Sequence, residues 1–334
     1  MEWVRGKRIG HGSFATVSLA KPTCQNSEVP SLIAVKSCGV SHSESLVNER
    51  LILEQLKDCP EIIQCYGDSI TIENGQKLYN VSLEYASGGA LSEQVKKLSE
   101  NNVRRYANSI LKGLKYIHQN GFVHCDIKLQ NVLLVGTGDV KIADFGLAKK
   151  TTLGVTSELK DNNNNKKYEI RGTPIYMAPE TVINGEQEAA ADIWAVGCLI
   201  TELITGTPIW DVSDISGLLM KVGVGAEIPE IPAKLSDTGK DFLLKCFVKD
   251  PSKRWTAEML LNHPFVSTVS FEKETENQIS PREVFDFPDW ESEASTPEIE
   301  EFRCGLPATT RLGQLLTDQK PNWSVVSNSW VKVR

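Results

Sequence analysis

Three residues that can do chemistry together, Asp126, Lys128 and Asn131, crowd into His124-Cys125-Asp126-Ile127-Lys128-Leu129-Gln130-Asn131. Eleven residues after Asn131 comes Ile142-Ala143-Asp144-Phe145-Gly146. An Asp, a Lys, an Asn and a second Asp on two loops are what phosphoryl transfer needs. One carboxylate orients the attacking hydroxyl and a lysine neutralises the moving phosphate. An amide and another carboxylate hold magnesium. Either loop singly would also serve as an ordinary hydrogen-bonded polar turn.

Two features upstream feed the same chemistry. Ile9-Gly10-His11-Gly12-Ser13-Phe14-Ala15-Thr16-Val17 is a glycine-rich turn between strand-like runs. Glycine lets backbone amides approach phosphate oxygens with no side chain between. Ala15 stands where a GxGxxG pattern has its third glycine. A dinucleotide-binding turn is excluded, because Val17 continues into strand-like sequence rather than a helix. Nineteen residues beyond Val17, Ala34-Val35-Lys36 sets a lysine on an apolar strand, where it needs a partner or a path to water. Glu49, on the next helix, is the candidate partner. A snorkelling lysine and an unrelated glutamate would explain that pair alone, but not all four features in this order.

The positioning elements follow from periodicity. LIAVKS (32–37) and KLYNVSLEY (77–85) read as strands. Between them Ser45 to Lys57 reads as a helix, with Leu46, Glu49, Leu53 and Leu56 at helical spacing. Ser87-Gly88-Gly89 breaks the chain, and residues 90–266 read as mainly helical. In 101–119 the apolar residues Val103, Tyr106, Ala107, Ile110, Leu111, Leu114 and Ile117 share one helix face, closed by Asn120-Gly121. Residues 190–204 are almost unbroken apolar and predict a central buried helix. The VLLV run after Asn131 reads as a strand.

Composition removes whole classes. Apolar residues are 40% and charged residues 24% of 334, as in ordinary globular proteins. No run approaches the ~20 apolar residues of a membrane span. MEWVRGK has no signal-peptide core, and Glu2 stands where myristoylation needs Gly. The eight cysteines form no CxxC pair and read as reduced intracellular thiols. A net charge of −7 argues against a general nucleic-acid binder. Two stretches look loose: 151–170, with its run of four asparagines, and the tail from about 267. Residues 271–301 carry 11 acidic against 2 basic residues, and 302–334 carry 1 against 5. The acidic-then-basic tail 267–334 is expected to be disordered.

The motifs together resemble a protein kinase over residues 3–266. Further family marks stand in order: Arg171-Gly172-Thr173-Pro174-Ile175-Tyr176-Met177-Ala178-Pro179-Glu180, Asp192-Ile193-Trp194-Ala195-Val196-Gly197, Asp250-Pro251-Ser252-Lys253-Arg254 and His263-Pro264-Phe265. The resemblance implies an α+β, two-lobe protein kinase fold. Its N-lobe (about 3–85) is an antiparallel sheet with one helix, and its C-lobe (about 90–266) is mainly helical. It implies ATP and Mg2+ as cofactors. Asp126 resembles the catalytic base and Lys128 the phosphate-neutralising lysine; Asn131 and Asp144 resemble the metal ligands. Lys36, steadied by Glu49, resembles the lysine on the ATP phosphates. Ile9, Gly10, Gly12, Val17 and Ala34 belong to the ATP site. Leu83 falls at the gatekeeper, and Glu84 to Ala86 resemble the adenine-binding hinge. Asp192 resembles the support of the catalytic loop, and Glu180 and Arg254 a structural ion pair. Thr173, before Pro174, matches the serine/threonine form of the substrate-receiving loop.

One departure bears on regulation. Cys125 replaces the arginine that commonly precedes the catalytic Asp and receives an activation-loop phosphate. A neutral thiol cannot do so, so activity is expected to depend little on phosphorylation at Thr151, Thr152, Thr156 or Ser157. Changing all four to Ala is expected to leave substantial activity. Cys125 and Cys38, near the site, read as redox-sensitive thiols or as buried, inert ones, and the second is expected.

Within the family, MEWVRGKRIGHGSFATVSLA, HCDIKLQNVLL and RGTPIYMAPE resemble the plant MEKK-like mitogen-activated protein kinase kinase kinases, specifically the small single-domain group. That implies mitogen-activated protein kinase kinases as substrates and partners, stress signalling of the abscisic-acid kind, and residence in cytoplasm and nucleus. No nucleic acid or membrane partner is expected. Ser280-Pro281 and Thr296-Pro297 are candidate feedback sites. Phe285 to Trp290, Trp323 and Trp330 could dock a regulator or fold back on the kinase lobe. The alternatives are a scaffold without catalysis, favoured only by Cys125 and Ala15, and a Ser/Thr kinase of another pathway.

Overall fold

The computed structural model describes residues 2–12, 15–23, 29–95, 98–136, 138–152, 170–210, 214–225, 227–267 and 331–332. The amino-terminal lobe is an antiparallel sheet of β1 (Trp3–His11), β2 (Thr16–Pro22), β3 (Ile33–Gly39), β4 (Cys65–Glu73) and β5 (Gln76–Glu84), in the order β1-β2-β3-β5-β4. Central β3 has both faces covered, so Ile33, Ala34 and Val35 run consecutively apolar and all are buried. Its register sets Lys36 opposite Val17 of β2 and Val81 of β5. The lysine thus starts directly behind the glycine-rich turn, where Gly10 faces Val17. Helix α1 (Glu44–Gln55) packs on β3 and β4 and buries Leu46, Glu49, Ile52 and Leu53.

The second lobe is built around two helices. In α2 (Glu100–Gln119) the Ser99 hydroxyl accepts the Asn102 N–H at 3.3 Å, a side-chain cap of the first turn. Its seven-residue apolar stripe is buried, and Gly121 leaves the helix at φ +76°, as the Asn-Gly pair predicts. After the short strand β6 (Phe122–Val123), the hairpin β7 (Val132–Val135) and β8 (Asp139–Ile142) carries the two polar loops at its ends. Strand β9 (Lys149–Lys150) pairs with β6. Helices α3 (Pro179–Asn184), α4 (Ala189–Thr205), α5 (Ile215–Gly223), α6 (Asp237–Cys246), α7 (Ala257–Leu261) and α8 (Pro264–Ser267) complete it. Helix α4 is buried nearly all round, as its unbroken apolar run predicts. One apolar core runs from Ala34 and Leu83 of the sheet to Phe265 at the end of the helical lobe.

Strand β4 has no counterpart among the strands read from the sequence. The expected disordered tail 267–334 lies outside the described residues except at Ser267 and at β10 (Val331–Lys332), which pairs antiparallel with the edge of β1, Val4 facing Lys332 and Arg5 facing Val331. An open strand edge offers backbone hydrogen bonds to any extended segment, whatever its composition. Ser280, Thr296, the 285–290 aromatics, Trp323 and Trp330 lie outside the described residues, as do Thr156 and Ser157. No helix among the described residues is long and apolar enough to cross a membrane.

Candidate active site

Between the lobes lies a cleft of about 450 Å³, within the range of small-molecule sites. Ile9, Gly10, Gly12, Val17, Ala34, Lys36, Glu49, Leu83, Glu84 and Ala86 all line it, with Asn131 and Asp144 at its inner end. Leu133 lines it too and was missed, although its place two residues past Asn131 on a predicted strand was a usable signal. The Gly12 N–H donates to the Ala15 carbonyl at 2.9 Å, and both residues line the cleft. The Glu84 side chain points away and accepts from Lys141 at 2.7 Å, so this hinge residue can offer the cleft only its backbone.

At the back of the cleft Lys36 Nζ lies 2.6 Å from Glu49 Oε2 and 2.9 Å from Asp144 Oδ1. Burial pushes the Lys36 pKa down, but the two carboxylates outweigh it and hold it above its ordinary value. Burial likewise raises Asp144, yet Lys36 prevails and keeps its carboxyl below the usual range. Both groups are therefore charged at neutral pH. Glu49 is fully buried, and its other oxygen accepts the Phe145 N–H at 3.3 Å. One helix residue thus ties the strand lysine to the Asp144 loop.

Asp126 has both oxygens engaged. Oδ1 accepts from the Thr173 hydroxyl at 2.7 Å. Oδ2 accepts from Asn131 Nδ2 at 3.0 Å and lies 2.7 Å from Lys128 Nζ, which also donates to the Thr173 hydroxyl at 2.9 Å. Asn131 Nδ2 donates as well to the Asp126 carbonyl, so the amide oxygen is the atom left for a metal. That oxygen and the Asp144 carboxylate are hard donors. They fit magnesium, which takes few protein ligands and completes its shell with phosphate and water. Among the described residues no group of three or more His, Cys, Asp and Glu side chains could hold a metal by itself.

The loop is pinned from beneath. Asp192, buried on α4, accepts the His124 and Cys125 N–H groups at 2.9 and 3.0 Å and the His118 ring at 2.8 Å. Burial raises its pKa, but the hydrogen bond from His118 and the other donors carry it below the ordinary value. Cys125 and Asp144 sit at φ +66° and +65°, left-handed positions costing about 1–2 kcal/mol for a side-chain-bearing residue. Asp192 offsets that cost at Cys125. The buried His124 ring accepts the Asp126 N–H through Nδ1 and donates from Nε2 to the Ala143 carbonyl, joining the two loops. Burial lowers its pKa, in keeping with a neutral ring. Burial, with Asp192 nearby, lifts the Cys125 thiol well above its ordinary value, and burial raises Cys38 also. Both cysteines therefore stay protonated. The implied pair of Glu180 and Arg254 forms, bidentate at 2.6 and 2.9 Å.

Comparison with known proteins agrees with this geometry. The protein kinase domain profile matches residues 3–266. The chain is 47% identical to mitogen-activated protein kinase kinase kinase 20 of Arabidopsis thaliana, with all of both chains covered. It is 38% identical to kinase kinase kinase 18 of the same plant, covering 100% of this chain and 99% of the other. With kinase kinase kinase 17 it shares 42% over 80% of this chain and 70% of that one. The chain is a serine/threonine protein kinase and belongs to the plant MEKK-like family of mitogen-activated protein kinase kinase kinases.

Proposed function

We propose that the chain transfers the γ-phosphoryl group of ATP to Ser and Thr residues in the activation loops of mitogen-activated protein kinase kinases. The carrying observation is the hydrogen-bonded set of Asp126, Lys128, Asn131 and Thr173, of which Asn131 also lines the cleft that Leu83 and Glu84 line. A substrate hydroxyl entering beside Asp126 meets a carboxylate able to orient it and take its proton. Lys128, already against that carboxylate, neutralises the phosphoryl group as it moves. Lys36, kept cationic by Glu49 and Asp144, holds the phosphates behind it. Asn131 and Asp144 would hold magnesium, which would supply charge neutralisation at the phosphate oxygens. Ile9, Val17, Ala34 and Leu133 enclose the adenine, and the backbone from Glu84 to Ala86 reads its edge.

The test is phosphorylation in vitro of a panel of mitogen-activated protein kinase kinases with mapping of the modified residues. Wild-type protein is expected to label activation-loop Ser or Thr. Asp126→Asn is expected to lose about 10²–10⁴-fold in rate, a barrier rise of ~3–5 kcal/mol. Equal labelling by both proteins overturns the assignment, and labelling elsewhere on the panel overturns the substrate class. The resemblance further supports stress signalling of the abscisic-acid type in cytoplasm and nucleus. A fluorescent fusion confined to another compartment, or an unchanged abscisic-acid response in a knockout plant, counts against it.

A further inference from the structure

Two neighbouring residues at the start of α4, Gln187 and Glu188, are buried polar side chains that the phosphoryl-transfer site does not use. Their partners are far away in sequence. The Glu188 carboxylate accepts the Thr151 hydroxyl at 2.6 Å through Oε2. Through Oε1 it accepts the Thr152 hydroxyl at 2.5 Å and the Thr152 N–H at 3.1 Å. Lys149 Nζ lies 3.6 Å from the same carboxylate. The Gln187 amide forms a two-way pair with the backbone of Arg171: Oε1 accepts its N–H at 3.2 Å, and Nε2 donates to its carbonyl at 2.6 Å. One dipeptide therefore grips the chain both at 151–152, just past β9, and at 171.

The grip reaches the reaction site by a short path. Arg171 precedes Gly172, whose φ of +102° and lack of a side chain let it lie on the Cys125 carbonyl oxygen; a Cβ there would collide with that atom. The next residue is Thr173, which donates to Asp126. Displacement of Arg171 therefore moves the hydroxyl that touches the Asp126 carboxylate. Cys125 brings no charge to this place. The negative acceptor that organises Thr151, Thr152 and Lys149 is already encoded as a side chain.

We propose that Gln187 and Glu188 are positioning residues: a built-in carboxylate and amide staple that holds 151–152 and Arg171 in register with Asp126 without any phosphate on the segment. The proposal rests on the kinase reading and adds to it a residue-level account of Cys125. It also alters one expectation. Thr151 and Thr152 serve as hydroxyl donors, so replacing them with Ala removes the staple's partners along with two modifiable groups. Only Thr156→Ala and Ser157→Ala test phosphorylation by itself.

The experiment compares phosphatase-treated full-length wild type, Glu188→Ala, Thr151→Val/Thr152→Val, their combination, and Thr151→Ser/Thr152→Ser. Wild type is expected to keep its activity after phosphatase treatment. Glu188→Ala is expected to lower kcat/KM for a protein substrate at least about tenfold, roughly 1.4 kcal/mol, while KM for ATP stays put. The Val pair should lose a similar factor, the combination little more than either, and the Ser pair should return close to wild type. A merely structural glutamate would move neither the Ser-against-Val difference nor the split between protein and ATP constants. The inference is overturned by independent losses that multiply, by Glu188→Ala within twofold of wild type, or by wild type silenced by phosphatase. If wild type never shows activity, the kinase reading fails instead. The same cycle read by thermal unfolding then judges the staple, with no coupling between residue 188 and the Thr pair counting against it.

Discussion

Two buried glutamates hold the two lobes in different ways. Glu180 is gripped by both arms of Arg254, whose side chain is wholly enclosed and also donates to the carbonyls of Val248 and Ala190. Glu49 grips Lys36 through one oxygen, and Lys36 keeps 15% of its side-chain surface at the cleft and shares itself with Asp144. The first pair has every donor spent within the protein. The second holds a cation that is stabilised yet still presented to a ligand. Similar ion pairing serves architecture where the cation is saturated, and binding where it is left partly open.

The largest effect is expected from breaking the closed pair. Arg254→Ala leaves the buried Glu180 carboxyl without its partner, and should cost about 3–5 kcal/mol of stability, a large share of a domain's total, read in denaturant melts. Lys36→Met should behave oppositely, with kcat falling about 10²–10³-fold, as when one electrostatic donor is removed from an active site. Its melting temperature should change much less. Glu49 can take up a proton, because burial already pushes its pKa above the ordinary value. Equal loss of stability in the two variants would erase the contrast.

A smaller effect comes from acid. His124 has a folded-state pKa below its ordinary 6.5, so the unfolded chain binds the extra proton first. Its contribution is full above about pH 6.5 and declines as pH falls toward the folded value. Asp144 and Asp192, both lowered, add their share only nearer pH 4, lost as pH falls through their folded values. His124 should therefore lower the melting temperature from pH 7 to 5, while Glu49, raised by burial, works in the opposite sense there; a variant lacking the His124 imidazole should lose less stability between pH 7 and 5 than the wild type does. The smallest effect is expected at the exposed pair of Lys115 and Glu258, 3.0 Å apart, where Lys115→Ala should change stability by no more than about 0.5 kcal/mol.

Periodicity worked wherever one face of an element meets apolar core, as in α2 and α4. It failed at β4. There Ile70 and Ile72 are 53% and 73% exposed while Thr71 is buried, the reverse of the usual alternation. The cause is a polar cluster under the sheet. Arg5 pairs with Glu73 and donates to Asn80 and Ser37, and Asn80 donates to Thr71. A strand facing such a cluster carries no readable apolar stripe.

The residues of the reaction site were legible because phosphoryl transfer demands fixed residue types within short loops, and loop spacing is a local property. The assignment of Lys36 to Glu49 rested on one strand followed by one helix and needed little more. Asp192, 67 and 68 residues from Cys125 and His124, was legible only through the family resemblance. Tertiary structure alone decided the staple from Gln187 and Glu188 to Arg171, Thr151 and Thr152, 16 to 37 residues off. Glutamate before a helix is ordinary in sequence. It becomes informative only when burial forces its oxygens to find donors, and the fold alone determines which hydroxyls are brought within reach.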